Sequence, residues 1–260
     1  MPYLSSIIIY PVKSLDPLTL LQARIVDAGG IEHDRELAIF DENGKFVNGK
    51  RNPRVHLLSA AVDWKEGIIC LQRRDTCESH MWHILNDSTK LNAWLSDYFA
   101  MPVVLRQNTT GGFPDDSKAP GPTLIGASTL EEIASWYDHQ ITLPELSIRF
   151  RANLQISDAP AFWEDRLYGN AEEVVRFQIG DVLFEGMNPC QRCIVPTRDS
   201  STGDPFRNFS EIFRAQREAT LPAWANASRF NHFYRLALNT CVPASEVGKM
   251  LRVGDEVVVL

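Results

Sequence analysis

A mixed α/β fold with mainly antiparallel strands is predicted from three features of the sequence. Short runs of alternating or β-branched apolar residues recur along the chain, each closed by a Gly, Asn, Asp or Pro turn. Two stretches, around Leu91–Phe99 and Leu130–Tyr137, instead carry apolar residues at helical spacing. A segment rich in Gly, Pro, Asp and Ser, from Asn108 to Pro122, separates two strand-rich halves. The chain has 260 residues, 44% of them apolar, enough for one large domain or two small ones. The predicted division is 1–121 and 122–260.

The elements follow in order. Leu4 to Tyr10 reads as a buried first strand, rich in β-branched isoleucine. It ends at Pro11-Val12-Lys13-Ser14, a loop with one cation and one hydroxyl. Leu20–Val26 is the next strand, turned by Ala28-Gly29-Gly30. His33-Asp34-Arg35 leads into Glu36–Phe40, and Glu42-Asn43-Gly44 turns that strand into Lys45–Val47. Val55–Val62 and Ile68–Arg73 complete the sheet. Thr76–His83 reads as an exposed polar loop whose Cys77, His80 and His83 lack an obvious fourth metal ligand. A helix starts near Asp87-Ser88, with Leu91, Trp94, Leu95, Tyr98 and Phe99 on one face.

Pro102–Leu105 is a strand, and the long loop to Pro122 follows. Ser128-Thr129-Leu130-Glu131 has the form of a capping box opening a second helix. Ser147–Gln155 alternates and reads as a strand, which would set Arg149 and Arg151 on one face. Val174–Ile179, Gly180-Asp181 and Val182–Glu185 form strand, tight turn and strand. Ser210–Thr220 and Ser228–Leu238 read as helices, and Gly254–Leu260 as a closing strand.

The chemistry is expected at Asn188-Pro189-Cys190-Gln191-Arg192-Cys193, on a loop between strand-like flanks. A cation beside a thiol favours the thiolate, the form that attacks or binds metal. A redox dithiol would usually open a helix in a βαβ unit, and the flanks here are strands. Structural zinc needs four ligands, and Cys70 and Cys77 are too widely spaced for a second pair. A single thiolate on a cofactor-borne metal, or two inert buried thiols, also fit the pattern. The net charge of −7 argues against a general nucleic-acid binder. Five cysteines with no apolar leader point to free thiols in a reducing, cytoplasmic setting. Ile7–Tyr10 is far too short to span a membrane.

Asn188 to Gly203 resembles the signature of the MOSC domain, the module shared with the C-terminal part of molybdenum cofactor sulfurases. The closer likeness is to the branch holding the mitochondrial amidoxime-reducing component and its bacterial relatives. Tyr10-Pro-Val-Lys-Ser14 resembles the start of the N-terminal β-barrel that accompanies MOSC domains. Gly30–Leu37 resembles its G-x-x-x-D-R-x-W segment, with Leu37 in place of the aromatic. Arg51-Asn52-Pro53, Arg149-Phe-Arg-Ala-Asn153, Phe162-Trp-Glu-Asp165 and the closing Gly254-Asp255 strand resemble further family segments.

The resemblance implies a β-barrel N-terminal domain packed on a MOSC barrel with surrounding helices. A molybdenum–molybdopterin cofactor is implied between them. Cys190 would be the catalytic thiolate and metal ligand. Lys13, Ser14, Arg35, Arg51, Arg149, Arg151, Asn153 and Arg192 would donate to the anionic pterin phosphate. The implied reaction is two-electron reduction of a small N-hydroxylated substrate, an amidoxime or hydroxylamine. No iron–sulfur cysteine cluster follows the last strand, so electrons are expected from a separate ferredoxin-, flavodoxin- or cytochrome b5-like protein. The rival expectation is a sulfur carrier or cofactor-maturation protein holding a persulfide on Cys190.

Overall fold

The computed structural model describes residues 1–171 and 173–260. The chain forms β1 (Tyr3–Ile9), β2 (Leu18–Leu20), β3 (Gln22–Arg24), β4 (Leu37–Asp41), β5 (Leu58–Asp63), β6 (Ile68–Arg73) and β7 (Ser79–His83). Helix α1 (Ser88–Phe99), β8 (Val103–Gln107), β9 (Leu124–Gly126), α2 (Ala127–Ser135), α3 (Leu143–Phe150) and β10 (Leu154–Ser157) come next. The remainder is β11 (Val175–Ile179), β12 (Val182–Gln191), α4 (Phe209–Ala219), β13 (Arg235–Cys241), β14 (Met250–Arg252) and β15 (Val257–Val259). The fold is mixed α/β and mainly antiparallel; β9 with β10 is a parallel ladder.

The largest sheet has the order β15-β11-β12-β13-β9-β10-β1-β2. Its first and seventh strands meet through one antiparallel bridge, Tyr3 with Glu256, so the sheet curls without a continuous ladder closing it. Leu4, Ile7, Phe177, Phe184, Leu238 and Val257 fill its interior. Burial of apolar surface of this kind is the main term holding the sheet in its curled form. The first strand therefore belongs to the sheet of the C-terminal half, and β3 pairs with β14. In the N-terminal half β4 pairs with β8, and β5-β6-β7 form a meander. Leu91, Leu95, Tyr98 and Phe99 of α1 pack with Leu37, Ile69 and Leu71 in a second core. A third core, rich in aromatics, joins α2, α3 and α4 through Tyr137, Phe150, Phe209 and Phe213.

Several predicted elements are corrected. Ser147–Gln155 is not one strand: its first residues end α3, and β10 starts only at Leu154. Thr142 caps that helix by accepting from Glu145 N, Pro144 lies in its first turn, and Leu146, Arg149 and Phe150 form its buried face. Ser128–Glu131 does not cap α2, which starts directly from β9 with Gly126 as its cap residue. The Thr129 hydroxyl is engaged elsewhere, with Phe162 N and Glu164 Oε2. Ser228–Leu238 is not a helix but a short 3-10 turn followed by β13, buried on both faces. Residues 79–83 form the edge strand β7 rather than a loop, and residues 53–57 form a 3-10 turn ahead of β5. Among the described residues, no helix is long and apolar enough to cross a membrane.

Candidate functional site

Cys190 lies inside β12 rather than on a loop, at a break in the ladder with β13. Pro189 faces Leu238 and Gln191 faces Arg235, so β13 carries an extra residue opposite the thiol, where Ala237 has φ +65°. Bulges re-aim a side chain and are common beside active sites. Here the Cys190 thiol, half-buried, lines a cavity of about 440 Å³. Arg192 Nη1 stands 3.1 Å from Cys190 Sγ, and its Nη2 donates to Phe150 O at the C-terminal end of α3. The carbonyl end of a helix favours a cation, so α3 fixes the guanidinium that fixes the thiol.

Three segments bring the other groups to the same cavity. Lys13 and Ser14 follow β1, Arg35 precedes β4, and Arg149, Arg151 and Asn153 lie at the α3–β10 junction. Ser14, Arg35 and Arg151 have φ of +75°, +50° and +54°, a left-handed backbone uncommon for side chains of this size. Such conformations persist where surrounding structure fixes them, and they gather at binding sites. Arg151 donates to Leu15 O at 2.8 Å, and its guanidinium lies 3.8 Å from the centroid of the buried Tyr10 ring. Arg149 donates to Glu145 at 2.7 Å and lies 3.7 Å from Asp199. Asn153 donates to Ile8 O at 3.0 Å and accepts from Thr123 N at 3.2 Å, stitching β1 to β9 and β10.

Eight of the nine predicted residues thus line one cavity; Arg51 does not. It is exposed on the turn after Asn48, where its N–H donates to Asn48 O at 3.1 Å, and the turn presents Gly49 and Lys50 to the cavity instead. Arg198, Arg235 and His56 line the cavity although the sequence did not single them out. Arg235 was hidden by the helical reading of 228–238. His56 was hidden by the strand reading of 55–62. Arg198 sits within the thiol motif itself, so proximity to Cys190 was the available signal.

Nine Lys and Arg residues line the cavity against four Asp, in a chain whose net charge is −7. Concentrated positive charge in a concave site attracts and holds anions. Arg149 Nη1, Arg151 Nη2, Arg192 Nε, Arg198 Nε and His56 Nε2 are buried without a hydrogen-bond partner. Buried donors are almost always satisfied, so this set points to an anionic ligand with several acceptors. Burial, aided by the Arg198 and Arg151 charges, pushes the His56 imidazole below its usual range, so it is neutral near pH 7. Burial likewise lowers the Lys13 ammonium, against the pull of Asp115. Among the described residues no three His, Cys, Asp or Glu side chains gather as a metal site. A metal at Cys190 would therefore take its other ligands from a cofactor or solvent. A soft cysteine sulfur beside unpaired guanidinium donors fits a metal-bearing anionic cofactor.

The model of the MOSC domain matches residues 124–258, more than half of the chain. The chain belongs to the MOSC family. The model of the MOSC N-terminal beta barrel domain matches residues 1–92, the half that supplies Lys13, Ser14 and Arg35 to the cavity. Molybdenum cofactor sulfurases of Homo sapiens and Oryza sativa subsp. japonica are 21% and 24% identical, over 82% and 79% of this MOSC chain. The chain spans only 28% and 29% of the length of those two relatives. The crystal structure of the YUAD protein from Bacillus subtilis is 14% identical and has a TM-score of 0.40, covering 100% of this chain and 96% of that one.

Proposed function

We propose that this MOSC protein is a molybdenum cofactor-binding oxidoreductase that reduces N-hydroxylated compounds by two electrons. One observation carries the reading: the Cys190 thiol, with Arg192 Nη1 at 3.1 Å, opens into a cation-rich cavity holding several unpaired buried guanidinium donors. Cys190 would hold molybdenum. Lys13, Arg149, Arg151 and Arg192 would hold the pterin and its phosphate. When bound, the cofactor supplies the two-electron chemistry that turns an amidoxime or hydroxylamine, with two protons, into the amine-type product and water. The protein's share is orientation and electrostatics. Arg192 fixes the thiol through its hydrogen bond, and Phe150 O fixes Arg192. Arg151, stacked on Tyr10, presents a charged donor from a partly buried wall, where its hydrogen bonds count for more than in water. A separate electron-donor protein would return the two electrons.

A second reading has its own support, because the curated relatives named above are molybdenum cofactor sulfurases. In it Cys190 holds a persulfide, and Arg192 and Arg235 steer the sulfur to an anionic recipient. Metal and pterin analysis of protein made in cells that synthesise the cofactor separates the two. The oxidoreductase reading expects close to one molybdenum per chain, lost in Cys190→Ala. Metal-free protein whose intact mass shows a persulfide, absent from Cys190→Ala, would sink it in favour of sulfur transfer.

A further inference from the structure

The loop from Asn108 to Pro122 is anchored at both ends and loosely held between them. Gly112 N donates to Asn108 O at 3.2 Å, and Phe113 N donates to Arg35 O at 2.9 Å. Gly112 has φ +63°, and a Cβ there would stand 2.4 Å from Asp34 O, so this end lies directly on the Asp34–Arg35 backbone. At the far end Ala119 is buried and Gly121 N donates to Thr240 O at 3.0 Å. Among the described residues, 114–118 make no backbone–backbone hydrogen bond. The ionic tie of this strap is Asp115, whose carboxylate reaches Lys13 Nζ at 2.6 Å and Arg35 Nε at 3.7 Å. The partners differ in exposure: Lys13 and Arg35 side chains are 7% and 10% exposed, and Asp115 is 67% exposed. The cations belong to the body of the cavity, and the carboxylate belongs to the strap.

We propose that Asp115 is an internal counter-ion that holds strap 114–118 over Lys13 and Arg35, and that a phosphate-bearing ligand displaces it on entry. The oxygens of a phosphate monoester match the carboxylate in charge and acceptor chemistry, so the two compete for the same donors. The protein atoms crowded around Asp115 partly desolvate its carboxyl and raise it, although the side chain faces solvent, but Arg35 and Lys13 outweigh this and keep the group below the usual carboxylate range. The Asp115 carboxylate is therefore charged throughout the neutral range. The strap would open as the ligand binds and leave its anchored ends in place. The proposal rests on the reading that the cavity takes an anionic cofactor.

Calorimetric titration of the full-length, cofactor-free protein with inorganic phosphate at low ionic strength tests it. Asp115→Asn removes the competing charge and is expected to bind phosphate on the order of ten-fold tighter than wild type. Asp115→Glu, which keeps the charge, and Asp97→Asn, which removes an exposed carboxylate of α1 outside the cavity, should each stay within about two-fold. Limited proteolysis within 114–118 should quicken when phosphate is added to wild type and be quick in Asp115→Asn without it. If wild type binds phosphate and Asp115→Asn binds it equally or more weakly, the counter-ion role is wrong and the anionic cavity stands. If no variant binds phosphate, both fail together.

Discussion

Glu164 is 1% exposed, with Oε2 accepting from Thr129 and Oε1 buried without a partner. Burial, reinforced by the neighbouring Asp165, pushes its carboxyl up to about 7. The folded chain therefore keeps a proton on Glu164 over a window in which the unfolded chain has lost it. The contribution favours the fold at low pH, declines as pH rises from the ordinary glutamate value to about 7, and is constant above. Glu164→Gln removes this titration. Between about pH 5 and about pH 8, wild type should lose about 2.5 kcal/mol more unfolding free energy than the variant. Urea denaturation of both proteins across that range measures it, and parallel curves would refute the assignment. At this scale the sequence was informative where chemistry is local. Cys190 and Arg192 are two apart, and their contact follows from that spacing. Lys13 and Arg35 were legible through motif likeness. Arg235 was not, because its direction depends on a bulge set by the register of β12 with β13, which no local pattern encodes.

Among the elements, α4 shows how a helix away from the cavity governs it. Arg217, fully buried on α4, pairs with Asp165 of the 3-10 turn at Trp163–Arg166, and its Nε donates to Arg235 O at 3.5 Å. The guanidinium also stacks 4.2 Å from the Phe162 ring centroid. Asp165 is 3% exposed, so removing its partner strands a buried carboxyl. Arg217→Leu is expected to cost about 3–5 kcal/mol, and Asp165→Asn combined with Arg217→Leu should recover part of the loss. Guanidinium chloride denaturation of the two variants decides this; equal losses would mean that packing rather than charge dominates. The misread elements have physical reasons as well. Thr142-Leu-Pro-Glu145 is the helix-start pattern that opens α3, and the strand reading of Ser147–Gln155 rested on alternation alone. In 228–238 the aromatic spacing imitated a helix, whereas burial on both faces is what makes β13 a strand.

For the molecule as a whole, the two family matches at 1–92 and 124–258 suggest two units, but the strands do not divide that way. β1 is the seventh strand of the large sheet, paired with β10, and β3 pairs with β14 near the other end of the chain. The N-terminal core around Leu37, Ile69 and Leu95 is linked to the rest through the same segments that carry Lys13 and Arg35 into the cavity. The sequence showed a strand at Leu4–Tyr10 but not its partner, because pairing across some 150 residues leaves no local trace. Losing the large sheet would remove β1 and β2, and with them the tether and cavity wall of the N-terminal core. The halves should therefore unfold as one cooperative unit. Native-state hydrogen exchange in rising denaturant can test this peptide by peptide. Peptides covering β5–β6 and those covering β11–β12 should lose protection with the same free energy and denaturant dependence. If β5–β6 opened well before β11–β12, the N-terminal core would be an independent folding unit. The cavity between them would then be one that the two halves can open without unfolding.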